Sequence, residues 1–558
     1  PPPQPKAMPC GRASVAAATA ATPGPWRRGH TGERPGHHAP LGRLIPMPRF
    51  FLTTAIDYAN GDPHLGHALE KIGADAICRF HRQLGDDVWF LIGMDEHGQK
   101  VAQTAEQAGM APQAFVDQVA ARFEQMWATL GISHDQFMRT SAPAHHAAVT
   151  DLLERIFAQS PDDFYERSYT GRYCVGCESF KQPADITEGR CALHPTRELQ
   201  DVTERNWFFR LSAYTERLRA HLTAHPAFLQ PATRRNEILA LLDQGLEDVS
   251  ASRARFAWGV PFPRPLSDGE IQTTYVWFDA LPNYWTAQFF PGSRAPWPAS
   301  VHVVGKDITR FHAIIWPAML MAAGLPLPEQ VWAHGFISLG GERFSKSAGV
   351  KLELADAVAR FGADAFRYYL LRDIPFDGDG AFSWERFEAV YTAELANGLG
   401  NLASRTTAML EKYCDGVVPA GSRGPIDDAD LADYAEARRA LDGSRGYPIH
   451  EALEAIVRTV GRANQAIQDT KPWVLAKDPA QRPELERVLA SLTRQLARQA
   501  VYLAPFMPGK AEALWTALGG PGTAAGTTFA AAEALDCTGW RVTKGEGLFP
   551  RPEPRPES

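Results

Sequence analysis

The sequence predicts a doubly wound α/β domain followed by an all-helical domain, and three features support this fold class. Apolar strand-like runs, FFLTTAI from Phe50 and DVWFLIG from Asp87, alternate with segments of helical character, as in parallel sheets covered by helices. A further run, VHVVGKD from Val301, carries polar residues at its end, where ligands collect in open α/β sheets. From about Trp384, apolar residues recur at spacings of three and four, which indicates a helical bundle.

The first strand leads into a predicted helix with a well-marked start. Asp62 is a favourable N-cap residue and Pro63 suits the first helical position, so we expect the helix to begin at His64. His64 and His67 then share a face beside the helix N-terminus, whose amide groups and dipole favour phosphate. Gly66 allows a nucleotide to approach the backbone. Taken alone, such a histidine pair is more often a solvated surface feature.

A second basic motif, ERFSKSAG, begins at Glu342. Lys346 lies between Ser345 and Ser347, with Gly349 close behind, so a compact ammonium group is carried on a loop that could close on a triphosphate. Taken alone, a Ser-Lys-Ser sequence is usually part of a solvated loop. In this order, the two motifs are typical of the two halves of an ATP-activating site.

Composition limits the class of protein. The chain has 558 residues, of which 45% are hydrophobic, and this predicts several well-packed domains. Its formal net charge of −7 argues against indiscriminate binding of polyanions, but a local basic face would suffice for an RNA partner. The most apolar stretch, which begins at Ala313, is short and is interrupted by Pro317, so we expect no membrane span.

The cysteines fall into two groups. Four of the seven are scattered, which favours a reducing compartment over a disulfide framework. The other three form a pattern with a histidine: Cys174-x2-Cys177, thirteen intervening residues, then Cys191-x2-His194. This two-plus-two spacing predicts a tetrahedral zinc site, and because the protein fills all four positions, the expected role is structural. The alternative is reduced structural cysteines beside a surface histidine.

The motifs and the stretches around them resemble the class I aminoacyl-tRNA synthetases, and within that class the methionyl-tRNA synthetases. The resemblance covers roughly residues 48–552, and the matching stretches, in family order, are TTAIDYANGDPHLGH, GMDEHG, YVWFDALPNY, VVGKDITRFHAIIWPAML, HGFISLGGERFSKS, NLASR and KPWVLAK. One position departs from the family pattern, because Arg343 stands where lysine is usual, and Phe344 follows where methionine is common. Arginine keeps the charge and can bind phosphate bidentately, but it is stiffer.

The resemblance implies a two-step ligase reaction. L-Methionine and ATP, which carries Mg2+, would give methionyl-adenylate and pyrophosphate, and methionine would then pass to the 3′ end of tRNA(Met). No covalent protein intermediate is needed, so the protein would act by positioning and by charge stabilisation. The zinc pattern and the absence of a matched dimerisation domain resemble bacterial-type members with one zinc knuckle, so we expect a monomer.

Individual roles follow from the matched positions. The expected catalytic residues are His64, His67 and Lys346. The expected ATP-binding residues are His64, Gly66, His67, Gly305, Asp307, Arg343, Ser345, Lys346 and Ser347. The expected methionine-binding residues are Ala55, Ile56, Tyr58, Asp95, Trp277, Ala280, Leu281, Tyr284, Ile308 and His312. The expected anticodon-binding residues are Asn401, Arg405 and Trp473; Asn397, Asn401 and Arg405 recur every four residues and so share a helix face.

The same reasoning divides the chain. We expect a Rossmann-like catalytic domain, a zinc-bearing connective insertion and a helical anticodon-binding domain. The predicted segments are a disordered Pro/Ala/Arg-rich leader (1–46), the first catalytic half (47–159), the insertion (160–270), the second catalytic half (271–333), the signature loop and stem-contact segment (334–392), the helical domain (393–515) and a C-terminal tail (516–558). The second catalytic half is expected to open with a strand from Tyr275.

Other interpretations remain open at this stage. Another class I synthetase, for isoleucine, valine, leucine or cysteine, is disfavoured because the insertion is too short for an editing domain and because four ligands close the metal site. A synthetase-like RNA-binding protein without catalysis, or a small-molecule adenylyltransferase, would share only part of the motifs. We expect a cytoplasmic enzyme, with an organellar leader as the alternative.

Overall fold

A computed structural model of the protein describes residues 47–174, 179–181, 185–192, 194–254, 257–339, 342–343, 354–545 and 547–550. The expectations for residues 1–46, for Cys177 and for Phe344, Ser345, Lys346 and Ser347 lie outside these residues. In the described ranges, no helix is both long and apolar enough to cross a membrane.

Strands are numbered along the chain. They are β1 (Arg49–Thr54), β2 (Asp57–Tyr58), β3 (Asp87–Asp95), β4 (Gln136–Arg139), β5 (Phe164–Cys174), β6 (Ser179–Lys181), β7 (Ile186–Thr187), β8 (Arg190–Cys191), β9 (His194–Glu198), β10 (Gln200–Phe209), β11 (Leu229–Gln230), β12 (Val249–Ser250), β13 (Ser252–Arg253), β14 (Thr273–Thr274), β15 (Val301–Gly305), β16 (Val331–His334), β17 (Ile337–Leu339), β18 (Glu342–Arg343) and β19 (Gly380–Phe382).

Helices are numbered in the same way. They are α1 (Leu65–Leu84), α2 (Gln99–Gln107), α3 (Pro112–Thr129), α4 (Pro143–Gln159), α5 (Thr215–Ala224), α6 (Ala232–Asp243), α7 (Val276–Ala280), α8 (Asn283–Thr286), α9 (Trp316–Ala322), α10 (Leu354–Phe361), α11 (Ala363–Asp373), α12 (Trp384–Val390), α13 (Asn401–Cys414), α14 (Pro425–Arg439), α15 (Ile449–Thr470), α16 (Pro472–Leu475), α17 (Arg482–Leu503), α18 (Pro508–Ala517) and α19 (Phe529–Glu533). Segments Phe311–Ile315 and Tyr391–Gly400 are π-helical.

The central sheet confirms the predicted α/β class. Its strand order is β11-β16-β15-β1-β3-β2, with β4 also paired to β3, and each of these pairs is parallel. β1 lies in the middle and pairs Leu52 with Phe90 on one side and with Val301 on the other. The chain leaves β1 towards β3 and returns later beside β1 as β15. The gap between β1 and β15 is therefore the switch point at which such sheets bind ligands.

The insertion is built on a long antiparallel pair. β5 and β10 pair from Phe164 opposite Phe209 to Tyr173 opposite Gln200, and the small sheet β7-β8-β9 lies in the connection between them. The insertion also contributes to the central sheet, because β11 pairs with β16 and is an edge strand of that sheet. The sequence did not predict this strand.

Two local predictions are wrong. The run from Tyr275 to Ala280 is not a strand: the strand β14 contains only Thr273–Thr274, and Tyr275 is the N-cap of α7. Its Val, Trp and Phe residues have high β propensity, but tertiary context decides, since the buried Asp279 binds side chains of the catalytic half. The N-cap of α1 is His64 instead of Asp62, so the helix begins at Leu65.

The helical part begins as predicted near Trp384 and packs on the catalytic half. Arg367, on α11, is fully buried and binds Asp75 on α1 at 2.7 Å. It also donates to the carbonyl groups of Leu130, Pro505 and Phe506 at 2.9–3.2 Å. One guanidinium group thus joins α1, the end of α3 and the turn after α17.

Candidate active site

The start of α1 is built by two histidines. His64 Nδ1 accepts hydrogen bonds from the amide groups of Gly66 and His67, and His67 Nδ1 accepts one from the amide group of His64. The two rings stack with centroids 3.6 Å apart. In a neutral imidazole that accepts at Nδ1, the proton is on Nε2. Both rings therefore present Nε2–H donors beside the positive end of the helix dipole.

Gly66 leaves room for this stacked arrangement. A Cβ atom at this position would lie 3.1 Å from Cε1 of His64. Asp62, which we expected to cap the helix, instead pairs with Arg122 on α3 at 2.6 Å. Histidine replaces the usual Asp or Ser because its Nδ1 atom makes the same bonds to the backbone. Capping and ligand binding therefore use opposite nitrogens of one ring.

A buried polar pair lies on the other side of the switch point. Tyr284 Oη and His312 Nε2 are 2.6 Å apart, and His312 Nδ1 is 3.0 Å from the carbonyl oxygen of Ile308. Because a carbonyl only accepts, Nδ1 carries the proton and Nε2 accepts from the tyrosine hydroxyl. Burial lowers the pKa of His312 to about 4 and raises that of Tyr284. Both groups are neutral at physiological pH.

The π-helical turn Phe311–Ile315 sets the position of His312. π-turns inside helices often occur at functional sites, because they shift the side chains that follow. Phe311, in the same turn, stacks on Trp277 with ring centroids 3.6 Å apart and planes 4° from parallel. Trp277 in turn meets His312 edge to face at 6.4 Å. The tryptophan, histidine and tyrosine expected from the sequence therefore form one aromatic wall.

Helix α7, which carries Trp277, is fixed by a buried carboxylate. Asp279 binds His97 and His145, each at 2.8 Å. Burial alone would raise the pKa of Asp279, but the two histidines hold it well below its usual range. The same contact raises the pKa of His97, against the effect of burial. Because His97 follows β3 by two residues, this network ties Trp277 to the strand end that carries Asp95.

The strand ends place three further predicted pocket residues, Tyr58, Asp95 and Ala55. β2 pairs with the end of β3, so Tyr58 lies opposite Asp95 and Asp57 opposite Met94. Ala55, directly after β1, donates its amide to the carbonyl of Val303 on β15 at 3.0 Å. Of the other predicted pocket residues, Ile56 and Ile308 are half-buried, and Ala280 and Leu281 are buried.

The predicted ribose region lies where β15 ends. Gly305 is buried and closes β15, whereas Asp307 is exposed in the short turn that follows. Between them, Lys306 forms an ion pair with Asp379, whose Oδ1 atom also accepts from the amide of Phe336 at 2.8 Å. Asp379 thereby joins the end of β15 to the segment that leads to the second motif.

Little of the second motif lies within the described residues. The described residues around it belong to a small sheet in which β17 pairs with both β18 and β19. Arg343 is the partner of Ser338 in this sheet. Gly335, just before β17, passes so close to the Gly378 carbonyl that a Cβ atom would lie 1.9 Å from its oxygen. The predicted contacts of Ser345, Lys346 and Ser347 stay predictions.

The predicted zinc ligands lie only partly within the described residues. Cys174 and Cys191 are buried in one small cluster with Leu199. Cys191 pairs with His194 across the β8-β9 hairpin, so the two lie opposite each other in register. No group of three or more metal-binding side chains occurs in the part of the chain that the structure covers, which excludes Cys177 and the His194 side chain. Two buried thiols in one cluster fit the predicted donor set.

The predicted anticodon residues lie on the helical part. Asn401 is exposed and Arg405 half-buried on α13, and Asn397 lies in the π-helical segment before it. Trp473, on α16, is 40% exposed. A tryptophan with this exposure is not a core residue. Nothing in the structure assigns an RNA contact to these side chains.

Three contributors to the site are missing from the sequence interpretation. His302, on β15, accepts from the Trp316 indole at 3.2 Å, bonds Thr53 at 2.6 Å and stacks on Tyr284. Phe311 immediately precedes His312, and its aromatic character was an available signal. Lys71 is buried on α1 next to Ala55 and Asp57. A lysine among apolar neighbours on a core-facing helix was also a signal that the sequence offered.

We expect the buried neutral His312 to make the protein acid-sensitive. A histidine whose folded pKa is about 4 binds fewer protons than the unfolded chain below pH 6.5, so its contribution to stability is complete above 6.5 and is lost as pH falls. At pH 5 the loss is about 2 kcal/mol. Urea unfolding of the wild type and of His312→Gln at pH 8 and pH 5 measures it. If both proteins lose the same free energy, His312 is not the cause.

Comparison with known proteins agrees with this geometry. The sequence profile of the family described as "tRNA synthetases class I (M)" matches residues 50–198 and 181–407. A methionine tRNA ligase of Streptomyces coelicolor is 41% identical over 532 residues, which cover 91% of this chain and 97% of that protein. One from Mesorhizobium japonicum is 40% identical over 514 residues, covering 90% and 98%.

Solved structures agree as well. The complex of Mycobacterium tuberculosis methionyl-tRNA synthetase with methionyl-adenylate matches with a TM-score of 0.84 at 38% identity, and covers 90% of this chain and 100% of the other. The apo form of that enzyme matches with a TM-score of 0.79 at 36% identity. The fold and the two histidines at the sheet's switch point define a class I aminoacyl-tRNA synthetase. Within this class, the chain belongs to the methionyl-tRNA synthetase family.

Proposed function

We propose that the protein joins L-methionine to tRNA(Met) in an ATP-dependent reaction through methionyl-adenylate. The observation that carries this proposal is the switch-point geometry. Neutral His312 and Tyr284 and the stacked Trp277 line one side, and the histidine-capped N-terminus of α1 opens on the other. An apolar thioether and a triphosphate are the two chemistries that these sides suit.

The residues support the first step as follows. A carboxylate oxygen of methionine attacks the α-phosphorus of ATP, and the bond to pyrophosphate breaks. The Nε2–H groups of His64 and His67 and the α1 dipole would stabilise the charge that develops on the phosphate oxygens. Asp95 would bind the substrate ammonium group. Lys346 would hold pyrophosphate, and Mg2+ bound to ATP would reduce repulsion between the phosphates.

Selectivity would depend on the polar pair. A purely apolar pocket separates substrates that differ by one methylene by only about 1–3 kcal/mol. The hydroxyl of Tyr284 is already bound to His312, which fixes the hydrogen-bonding pattern next to Trp277. A thioether is a weak acceptor with no donor, so it places no unsatisfied N–H or O–H beside this pair. A substrate side chain with a hydroxyl or amide group would place an unsatisfied donor beside this pair.

Amino-acid-dependent exchange of pyrophosphate into ATP tests the proposal. All twenty amino acids are assayed separately with the full-length protein, and tRNA charging is then measured with the active one. We expect exchange with methionine alone. Activity with a different amino acid and none with methionine would refute the proposal. A synthetase-like protein without catalysis would give no exchange with any of them.

We also propose a structural zinc ion held by Cys174, Cys177, Cys191 and His194. When bound, it would join the end of β5 to the β8-β9 hairpin as a cross-link of the insertion. Thiolates and a neutral imidazole are the donors that zinc prefers, and two of the thiols are buried in one cluster. This site lies in the insertion and contributes no reacting group.

We expect the purified protein to contain a single zinc ion per chain, and Cys174→Ser to lower that content and the melting temperature. Because bound zinc stabilises the folded insertion, loss of a ligand lowers the zinc content and the melting temperature together. Elemental analysis and thermal unfolding measure them. Cys414→Ser is the matched control, since this half-buried cysteine lies on α13, outside the insertion. Wild-type protein without zinc would contradict the expectation.

tRNA is the proposed partner of the helical part, through Asn401, Arg405 and Trp473. The exposed indole of Trp473 is suited to stack on an unpaired base, which contributes about 1–3 kcal/mol. Monomeric state and cytoplasmic location stay predictions.

We expect Trp473→Ala to lower kcat/KM for tRNA charging by about 10- to 100-fold, because one stacked base is lost. Methionine-dependent pyrophosphate exchange should be unchanged, since α16 lies outside the catalytic half. Val474→Ala, at a neighbouring residue that is 50% exposed, is the control. Equal charging by both variants would remove Trp473 from the proposed interface.

A further inference from the structure

Lys71 is a fully buried lysine whose ammonium group makes three contacts. Its Nζ atom lies 2.9 Å from the carbonyl oxygen of Ala55, 2.9 Å from Asp57 Oδ1 and 2.7 Å from Glu70 Oε1. An ammonium group has three N–H donors, so all are used. Burying a cation is costly unless it is paired in this way. The three contacts of Lys71 therefore offset the cost of burying its charge.

The contacts of Lys71 converge on the loop that carries the pocket. Ala55 follows β1, and its amide is bound to Val303 on β15 while its carbonyl is bound to Lys71. Asp57 lies in β2, whose next residue, Tyr58, is the register partner of Asp95. The ammonium group thus holds both ends of the turn between β1 and β2. This turn sets the distance between the two strand ends at which methionine would bind.

The cluster extends to a third strand. Glu70 Oε2 lies 3.1 Å from His334 Nε2, and His334 ends β16. Burial would raise the pKa of Glu70, but Lys71 and His334 lower it overall, so this carboxyl stays charged. Burial would likewise lower the pKa of Lys71, but Asp57 and Glu70 raise it. The ammonium is therefore retained at neutral pH.

We propose that Lys71 is a positioning residue for methionine activation: through the Ala55 carbonyl and Asp57, it holds residues 55–58 where Tyr58 and Asp95 can both face the amino acid. It touches no substrate itself. This inference rests on the proposed function and adds to it a residue that acts through the backbone. A buried ion pair with no positioning role would affect stability alone.

Lys71→Met keeps the length of the side chain and removes the ammonium group. In pyrophosphate exchange with full-length protein, we expect KM for methionine to rise about 10- to 100-fold, with KM for ATP changed far less, because the α1 N-terminus is retained. Arg462→Met is the matched control, since it breaks the ion pairs with Asp430 and Asp433 in the helical part. It should lower the melting temperature without changing KM for methionine.

A double variant separates positioning from stability. Asp57→Leu combined with Lys71→Met removes the cation and one of its two carboxyl partners, and Glu70 keeps its contact with His334, so stability should recover in part relative to Lys71→Met. The Ala55 carbonyl still lacks its partner, so KM for methionine should stay high. Recovery of KM together with the melting temperature would overturn the proposal.

A crystal structure of Lys71→Met gives a readout that is independent of substrate. A shift of residues 55–58 supports the positioning role, and an unmoved loop refutes it even if the wild type activates another amino acid. Failure of the proposed function would appear separately, as wild-type protein without methionine-dependent exchange.

Discussion

His64→Ala is expected to slow methionyl-adenylate formation by about 100- to 1,000-fold, the range for loss of one preorganised donor to a charged transition state. The substitution removes two things at once. Nδ1 caps α1 by accepting from Gly66 and His67, and Nε2–H points the other way as the proposed phosphate donor. Loss of the cap alone costs about 1 kcal/mol of stability. The variant should therefore be folded but nearly inactive.

His64→Asn distinguishes the two roles of the ring. Asparagine is among the best N-cap residues, so its side-chain oxygen can accept the same two amide hydrogen bonds. It is too short to place a donor where Nε2 lies. We expect His64→Asn to match the wild type in thermal unfolding and to match His64→Ala in single-turnover formation of adenylate. If asparagine restores activity, the role of His64 is only to cap the helix.

Arg367→Met is expected to lower the free energy of unfolding by about 3–5 kcal/mol, as for removal of one partner from a buried ion pair. Both Arg367 and Asp75 are fully buried, and in the wild type Arg367, together with Arg79, lowers the pKa of Asp75 to about 2 against the effect of burial. Without the guanidinium group, the carbonyls of Leu130, Pro505 and Phe506 also lose their donor. Methionine closely matches the volume of the stem, so lost packing contributes little.

Urea unfolding at neutral pH measures this effect. Arg386→Met is the control, because Arg386 pairs with Asp373 at 2.7 Å but is 58% exposed, and exposed ion pairs contribute about 0–1 kcal/mol. A difference of under 1 kcal/mol between the two variants would mean that Arg367 does not join the helical part to the catalytic half. We also expect the steepness of the Arg367→Met transition to fall if these parts unfold separately.

The site could be anticipated from sequence where chemistry lies in contiguous motifs. His64 and His67 were expected to share a helix start, and they stack there. Tyr284 and His312 were expected in one pocket and lie 2.6 Å apart, and the run VHVVG forms β15 as expected. Local signals failed where tertiary contacts outweigh them. Trp277 lies on a helix despite its strand-like neighbours, because Asp279 must reach His97 and His145. No pattern of polar and apolar residues reports such a contact.

Long-range placement was equally beyond the sequence. Lys71 and His334 share Glu70, although 264 residues separate Glu70 from His334. The pairing of β11 with β16 was also not predictable from the sequence, since the two residues of β11 are too few to show a strand pattern. The capping role of His64 was missed for a different reason: Asp62 and Pro63 form the more usual helix start, and only the geometry shows which residue accepts the amide bonds.

The edge strand β11 has a consequence for synthesis on the ribosome. The amide of Phe51 on β1 bonds Ser300, 249 residues later, and the sheet is closed on its far side by a strand that the insertion supplies. Until residues near 305 have emerged, the nascent chain holds β1 with one side unpaired, and β11 stays unpaired until β16 follows. Unpaired apolar edges of this kind aggregate. We therefore expect the central sheet to form late in synthesis, and chaperone capture of the emerging chain to be strongest before β15 and β16 appear.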